Sequence, residues 1–243
     1  MDSNVPLTGK VAIVTGAARG LGLLICQDLA REGMHIAGLD MRGPELCKAM
    51  KEVGEQFGVD AMAHTADVSD ENAIIDMTKQ VVRRWGRIDV LVNNAGIRQI
   101  APVWATSSGM WDHIQNSNLK GHFLCTREAL KQDMLQRGEG LIIFISSGSG
   151  KKGEVDSSAY CASKWGILGF SESVAKDLKK TRIRVTALTP GMLLTPMAEE
   201  SEAWHLGLDW LDPKFVSQAV VFCVKQDSNT IIPELRMYHR AQI

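Results

Sequence analysis

Apolar, β-branched runs alternate along the chain with longer stretches in which apolar residues recur every three or four positions. "KVAIVTG" (10–16) shows almost no polar alternation, which predicts a strand buried on both faces. "LGLLICQDLAREG" (21–33) has helical spacing and closes on Gly33. The same alternation predicts strands at 34–40, 59–67, 88–96, 140–147 and 183–191, and a last one near 230–237. Helices are predicted between them at 44–57, 70–85, 109–136, 158–180 and 213–225, with Ser69 or Asp70 capping the second of these. Strands that strictly alternate with helices pair in parallel through right-handed crossovers. The expected fold class is therefore α/β, a doubly wound parallel sheet in three αβα layers. No repeat, low-complexity tract or linker interrupts residues 1–243, so a single domain is expected.

Such sheets bind ligands beyond the carboxyl ends of their strands, and the candidate chemistry falls there. The first strand runs into "TGAARGLG" (15–22), with Gly16, Gly20 and Gly22 at the strand-to-helix turn. Glycines there permit a tight turn and close approach of a pyrophosphate to backbone amides, and the helix N-terminus adds a favourable dipole. Asp40 ends the second strand 18 residues after Gly22, where an acidic residue can accept hydrogen bonds from adenosine ribose hydroxyls. These features point to a Rossmann-type dinucleotide site. In "SSAYCASKWG" (157–166), Tyr160 and Lys164 lie four residues apart, so phenol and ammonium share one helix face.

Composition narrows the alternatives. The chain has 243 residues, 45% hydrophobic and 23% charged, with a net charge of −1, so neither a nucleic-acid nor a membrane-surface partner is indicated. No apolar run is long enough to span a bilayer, and "MDSNVPLTGK" lacks the layout of a signal peptide. Five scattered cysteines fit reduced thiols in a cytoplasmic protein, and six histidines without H-x-x-x-H spacing argue against a zinc site.

The glycine spacing is T-G-x-x-x-G-x-G rather than the commoner G-x-G-x-x-G. Together with "YCASK" it resembles the short-chain dehydrogenase/reductase family in its single-domain form. The resemblance covers nearly the whole chain. "ADVSD" (66–70) is similar to the acidic site near the adenine, "NNAG" (93–96) to the fourth-strand motif, and "SNLKG" (117–121) to the asparagine motif of the long helix. "ISSGSG" (145–150) resembles the serine motif and "TPGMLLT" (189–195) the proline–glycine stretch beside the nicotinamide. The resemblance implies a cofactor site built from Gly16, Arg19, Gly20, Leu21, Gly22, Asp40, Asp67, Val68, Asn94, Ala95, Gly96, Tyr160, Lys164, Pro190, Gly191 and Thr195, with Asn93 bracing the sheet. It implies that Tyr160 is the general acid/base and that Lys164 lowers its pKa and holds the nicotinamide ribose. Ser147, 13 residues before the tyrosine, would bind the substrate oxygen in preference to Ser146, and Asn118 would hold a proton-relaying water. The function implied is hydride transfer between NAD(H) and a secondary alcohol or ketone. Two alternatives stand beside it: an NADP-dependent 3-oxoacyl-carrier-protein-type reductase, and a non-catalytic dinucleotide-binding sensor. Asp40 favours NAD, whereas Arg19 and Arg42 could attract the 2′-phosphate of NADP.

The end of the chain, "NTIIPELRMYHRAQI", departs from the family's usual glycine-rich ending. The expected partner is a second copy of the chain, in a homotetramer or, given that ending, a dimer. Residues 196–212 form a lid candidate, in which Trp204, His205, Leu206 and Trp210 either line a substrate pocket or pack the lid onto the body. Arg98, Lys151, Lys152 and His205 are either a converging set of cations for an acidic substrate or solvated loop charges.

Overall fold

The computed structural model describes residues 6–196 and 210–242. Seven strands form one sheet in the order β3-β2-β1-β4-β5-β6-β7. They are β1 (Val11–Thr15), β2 (His35–Asp40), β3 (Ala61–Thr65), β4 (Val90–Asn93), β5 (Glu139–Ile145), β6 (Arg182–Pro190) and β7 (Glu234–Met237). Every adjacent pair is parallel. The order reverses between β1 and β4, which opens a crevice at the carboxyl ends of those two strands.

Successive strand residues point to opposite faces, and each face carries its own core. Ala12, Val14, Ile36, Val92 and Ile143 pack with Leu21, Ile25, Leu46, Met50, Val216 and Val220. Those partners lie on α1 (Gly20–Arg31), α2 (Gly43–Phe57) and α6 (Pro213–Lys225). Val11, Ile13, Leu39, Leu91 and Phe144 face the other way, onto Ile74, Met77, Leu124, Ala129 and Ile167. These come from α3 (Glu71–Trp85), the long helix α4 (108–137) and α5 (Ser158–Asp177). Asp70 caps α3, its Oδ1 accepting the Asn72 and Ala73 amides.

The predicted elements are all present, with shorter strands at the two edges. The structural departure lies inside α4, where two wide π turns, Asn116–Lys120 and Leu130–Met134, interrupt the α-helix. Each accommodates an extra residue without breaking the apolar stripe, so periodicity alone does not reveal it. The first π turn carries Asn118. No helix among the described residues is long and apolar enough to cross a membrane.

Candidate active site

The glycine turn after β1 is closed by contacts from β4. The Thr15 hydroxyl accepts the Asn94 and Ala95 amides at 3.0 and 2.9 Å. Asn94 Nδ2 donates to the Thr15 carbonyl at 2.8 Å, so the side chain of Asn94 braces the turn. Gly16 has φ of +68°, a left-handed conformation that glycine adopts without strain. A Cβ on Gly22 would sit 2.0 Å from the Gly16 carbonyl oxygen, so no larger residue fits there. No side chain caps α1 at Arg19, and its first turn holds no acidic residue. The amides of Gly20, Leu21 and Gly22 therefore form an anion-receptive helix N-terminus. A Cβ on Gly20 would touch Pro196 and Thr195 at 3.4 and 4.0 Å, which brings the stretch after β6 over the same turn.

Asp40 closes β2 and is almost completely buried. Its Oδ2 accepts the Ala18 amide at 3.1 Å and its Oδ1 the Arg42 amide at 3.0 Å. These bonds fix the carboxylate beside the glycine turn, with the Arg42 guanidinium 3.7 Å away. Asp67 Oδ1 accepts both the amide and the hydroxyl of Ser69. Val68 is buried and packs on Gly121 of α4. The turn, the carboxylate and the helix end without a side-chain cap together fit a dinucleotide. Its pyrophosphate would lie at Gly20–Gly22 and its adenosine ribose at Asp40.

The serine and tyrosine motifs meet at the carboxyl end of β5. Ser146 Oγ donates to the Lys164 carbonyl at 2.9 Å, which spends it on holding α5 to the strand. Ser147 instead stands beside the Tyr160 side chain, and its Oγ donates to Ser149 Oγ at 3.2 Å. Its Oγ also accepts the Ser149 amide at 3.2 Å. Burial pushes the Tyr160 phenol above its ordinary pKa, while Ser147 and the nearby Arg98 charge pull it down. Lys164 Nζ lies 5.6 Å from the centre of the Tyr160 ring and donates to the Ile145 carbonyl at 3.1 Å. Burial pushes the Lys164 ammonium down to about 8. The expectation that the phenol is lowered toward neutrality is therefore not met, because desolvation outweighs the pull of Ser147 and Arg98.

Asn118 is fully buried. Its Oδ1 accepts the Ile97 amide at 2.8 Å, and its Nδ2 donates to the Ile97 carbonyl and to Ser163 Oγ, both at 3.0 Å. The side chain thus ties α4 to the segment after β4 and to α5. Gly96 lies between these groups: a Cβ there would meet Asn118 Oδ1 at 3.2 Å and Lys164 Nζ at 3.6 Å. Asn93 Nδ2 donates to Thr126 Oγ1 at 3.0 Å, tying β4 to α4.

Among the described residues, the cations considered for the pocket do not converge. Lys151 Nζ is paired with Glu234 at 2.8 Å, and Lys152 is exposed. Arg98 alone reaches the phenol, and it carries Glu154 as a partner at 3.4 Å. Trp204, His205 and Leu206 lie outside the described residues. Trp210 is half-buried at the far end of the lid candidate. Next to it Leu211 bridges to Leu193, joining the two flanks of that segment.

Three groups escaped the sequence reading. His122 on α4 is fully buried and its Nε2 contacts the Ala95 carbonyl at 3.0 Å. Burial and the Lys164 charge push its pKa down to about 3, so the ring is neutral and Nε2–H is the donor. One helical turn after Asn118, it carries no motif that would mark it. The second group is the pair Tyr238 and Gln242 near the chain end. Gln242 clamps the Met192 amide and carbonyl at 3.1 and 3.2 Å. A Cβ on Gly148 would meet the Tyr238 ring at 3.2 Å, and one on Gly191 would meet it at 2.8 Å. The atypical ending therefore packs against both the serine loop and the Pro190–Gly191 turn. The third is Thr15, whose hydroxyl closes the glycine turn.

Comparison with known proteins agrees with this geometry. The family model described as short chain dehydrogenase matches residues 10–206. The chain belongs to the short-chain dehydrogenase/reductase family. It is an oxidoreductase of that family, with the expected single seven-stranded parallel sheet. Among family members, a 3-oxoacyl-[acyl-carrier-protein] reductase of Staphylococcus aureus is 38% identical over 190 residues, 78% of this chain and 77% of the relative. A solved metagenomic short-chain oxidoreductase in complex with NADP is 31% identical, with a TM-score of 0.84 over 96% of this chain and 98% of its own. NAD+-bound xylitol dehydrogenase is also 31% identical, with a TM-score of 0.87 over the same shares of the two chains. A nicotinamide dinucleotide, NAD or NADP, is the cofactor expected of this oxidoreductase.

Proposed function

We propose that the chain transfers hydride between NAD(H) and a secondary alcohol or ketone, with Tyr160 as general acid/base. The observation that carries this reading is the buried phenol, with Ser147 beside it and the Lys164 ammonium facing it, next to the dinucleotide cradle. The bound nicotinamide supplies the hydride acceptor or donor. Ser147 holds the substrate oxygen against Tyr160. In oxidation the tyrosinate takes the hydroxyl proton; in reduction the phenol protonates the carbonyl oxygen. Lys164 stabilises the tyrosinate and binds the nicotinamide ribose hydroxyls. Asn118 fixes the segment after β4 against α5, and a water near it relays protons from Lys164 toward solvent. These groups belong to a single catalytic domain, and residues 197–209 of the lid candidate lie outside the described residues. The sequence keeps all four candidate residues, Asn118, Ser147, Tyr160 and Lys164, which weighs against a silent sensor. The test is a dye-linked screen of secondary alcohols with each cofactor: turnover supports the reading, and binding of dinucleotide without turnover of any alcohol or ketone overturns it.

The preference for NAD rests on Asp40. Its carboxylate is fixed by two amides and would meet the 2′-phosphate of NADP with like charge. The NADP-dependent 3-oxoacyl-carrier-protein reading draws on the Staphylococcus relative and on Arg42, 3.7 Å from that carboxylate. Arg42 is more exposed than Asp40, so solvent and salt screen its pull on a phosphate. The kcat/KM ratio is expected to favour NAD by at least about tenfold, corresponding to about 1.4 kcal/mol. A ratio favouring NADP reverses the assignment.

A homotetramer is the proposed assembly. Trp111, Phe123 and Trp165 leave apolar surface exposed along α4 and α5, and Phe215 and Phe222 do so on α6 beside the edge strand β7. Two such faces suit closed two-fold pairing twice over, and a dimer would use one of them. Light scattering at micromolar protein should give a multiple of the 26.6 kDa subunit; the single-subunit mass contradicts both assemblies.

A further inference from the structure

Arg98 stands on the segment after β4 and Glu154 on the loop between β5 and α5, and both reach the same phenol. The Arg98 guanidinium lies 5.7 Å over the centre of the Tyr160 ring. Its contact with Glu154 is a single one at 3.4 Å, too long for a close charge-assisted hydrogen bond. Arg98 Nε is fully buried and has no hydrogen-bond partner. The positive charge is therefore only loosely matched, and it acts on the ring across a partly desolvated gap. Lys164 lies 5.6 Å from the same ring centre, so two cations attend one phenol.

We propose that Arg98 is a positioning residue that favours the tyrosinate of Tyr160, and that Glu154 is the counter-charge that holds this pull in check. The inference rests on Tyr160 as the acid/base of the reaction. The directions agree with the charges: Arg98 draws the phenol pKa down, and Glu154 draws it up. The other polar groups facing Tyr160 are Ser147 from the serine loop and, from its own helix, Lys164 and Cys161. From α4, Asn118 bonds to Ser163 rather than to the phenol, and neutral His122 faces Lys164. Lys151 is committed to Glu234. Arg98 and Glu154 are thus the pair in which one charge can be removed without touching the cofactor cradle. For unit charges about 6 Å apart, the dielectric of bulk water gives an interaction of about half a pKa unit.

The chain has two tyrosines, Tyr160 and Tyr238, so the phenol can be titrated directly. Cofactor-free protein labelled with [ζ-13C]tyrosine gives two signals, assigned with Tyr160→Phe and Tyr238→Phe. The tyrosinate fraction of Tyr160 at about pH 10.5 should rank Glu154→Gln above wild type and wild type above Arg98→Met. The apparent pKa should move by about half a unit or more in each direction. Arg98→Lys, which keeps the charge, should lie closer to wild type than Arg98→Met. The Tyr238 signal reports whether each variant is folded. Where Arg98→Met does not fold, the near-isosteric Glu154→Gln decides alone. Equal fractions, or the reverse order, overturn the inference. This readout needs neither substrate nor cofactor, so its failure is distinct from that of the functional reading, which falls if Tyr160→Phe retains turnover.

Discussion

Tyr160→Phe should lower kcat/KM by about 10²–10⁴-fold, the usual weight of a positioned general acid/base. The ring remains, so its packing under Arg98 and Lys164 is kept. What is lost is one oxygen, the one that Ser147 stands beside. Dinucleotide affinity, measured by fluorescence titration, should stay at the wild-type value, because the cradle at Gly16–Gly22 and Asp40 does not involve the phenol. Loss of turnover together with loss of binding would mean that the substitution damages the site as a whole. Activity within about tenfold of wild type would remove Tyr160 from the mechanism.

Lys164→Met should separate stability from function. The ammonium is buried with one hydrogen-bond acceptor, the Ile145 carbonyl, and its pKa is pushed down to about 8. In the unfolded chain the same group titrates near 10.4. Between those values the unfolded state binds the proton that the native state has released, so stability rises with pH across that window. Below about pH 8 both states are protonated and the burial cost is fully felt. Replacing the lysine with an apolar chain of similar length removes that cost. At neutral pH the variant should be more stable, by about 1–3 kcal/mol after the loss of the Ile145 hydrogen bond. Its unfolding free energy should also lose the rise between pH 8 and 10. Turnover should collapse and dinucleotide affinity should weaken. Denaturant unfolding at pH 7 and pH 10 checks the first part; a variant less stable than wild type at both pH values would show that the buried charge is not a net cost.

The strand and helix order was legible because each face of a parallel sheet is buried, and burial on both sides writes unbroken apolar runs such as "KVAIVTG" and "GLIIFISS" into the chain. The cradle and the Tyr160–Lys164 face were legible because both depend on local spacing. The turn at 15–22 and the i,i+4 pair need no knowledge of distant residues. What the sequence hid was partnership across long separations. Arg98 and Lys151 read alike as loop cations, yet one is paired with Glu154 beside the phenol and the other with Glu234 at the sheet edge. Asn94 reads as a cofactor contact, but its side chain bonds to the Thr15 carbonyl, 79 residues away. The direction of the Tyr160 shift depends on how deeply the ring is buried, which spacing does not record.

The crossing between β1 and β4 also orders the events of synthesis. Thr15 is made early, but its hydroxyl meets the Asn94 and Ala95 amides only after some eighty more residues have been added. Until then β1 has β2 for company on one side and nothing on the other, because β4 is its second neighbour. The first half of the nascent chain therefore carries an open sheet edge and an unclosed nucleotide turn, and contacts of such long range make a slow-folding topology. The nucleotide turn closes only once the fourth strand has been made, and Ser147, Tyr160, Lys164 and Pro190 join the site later still.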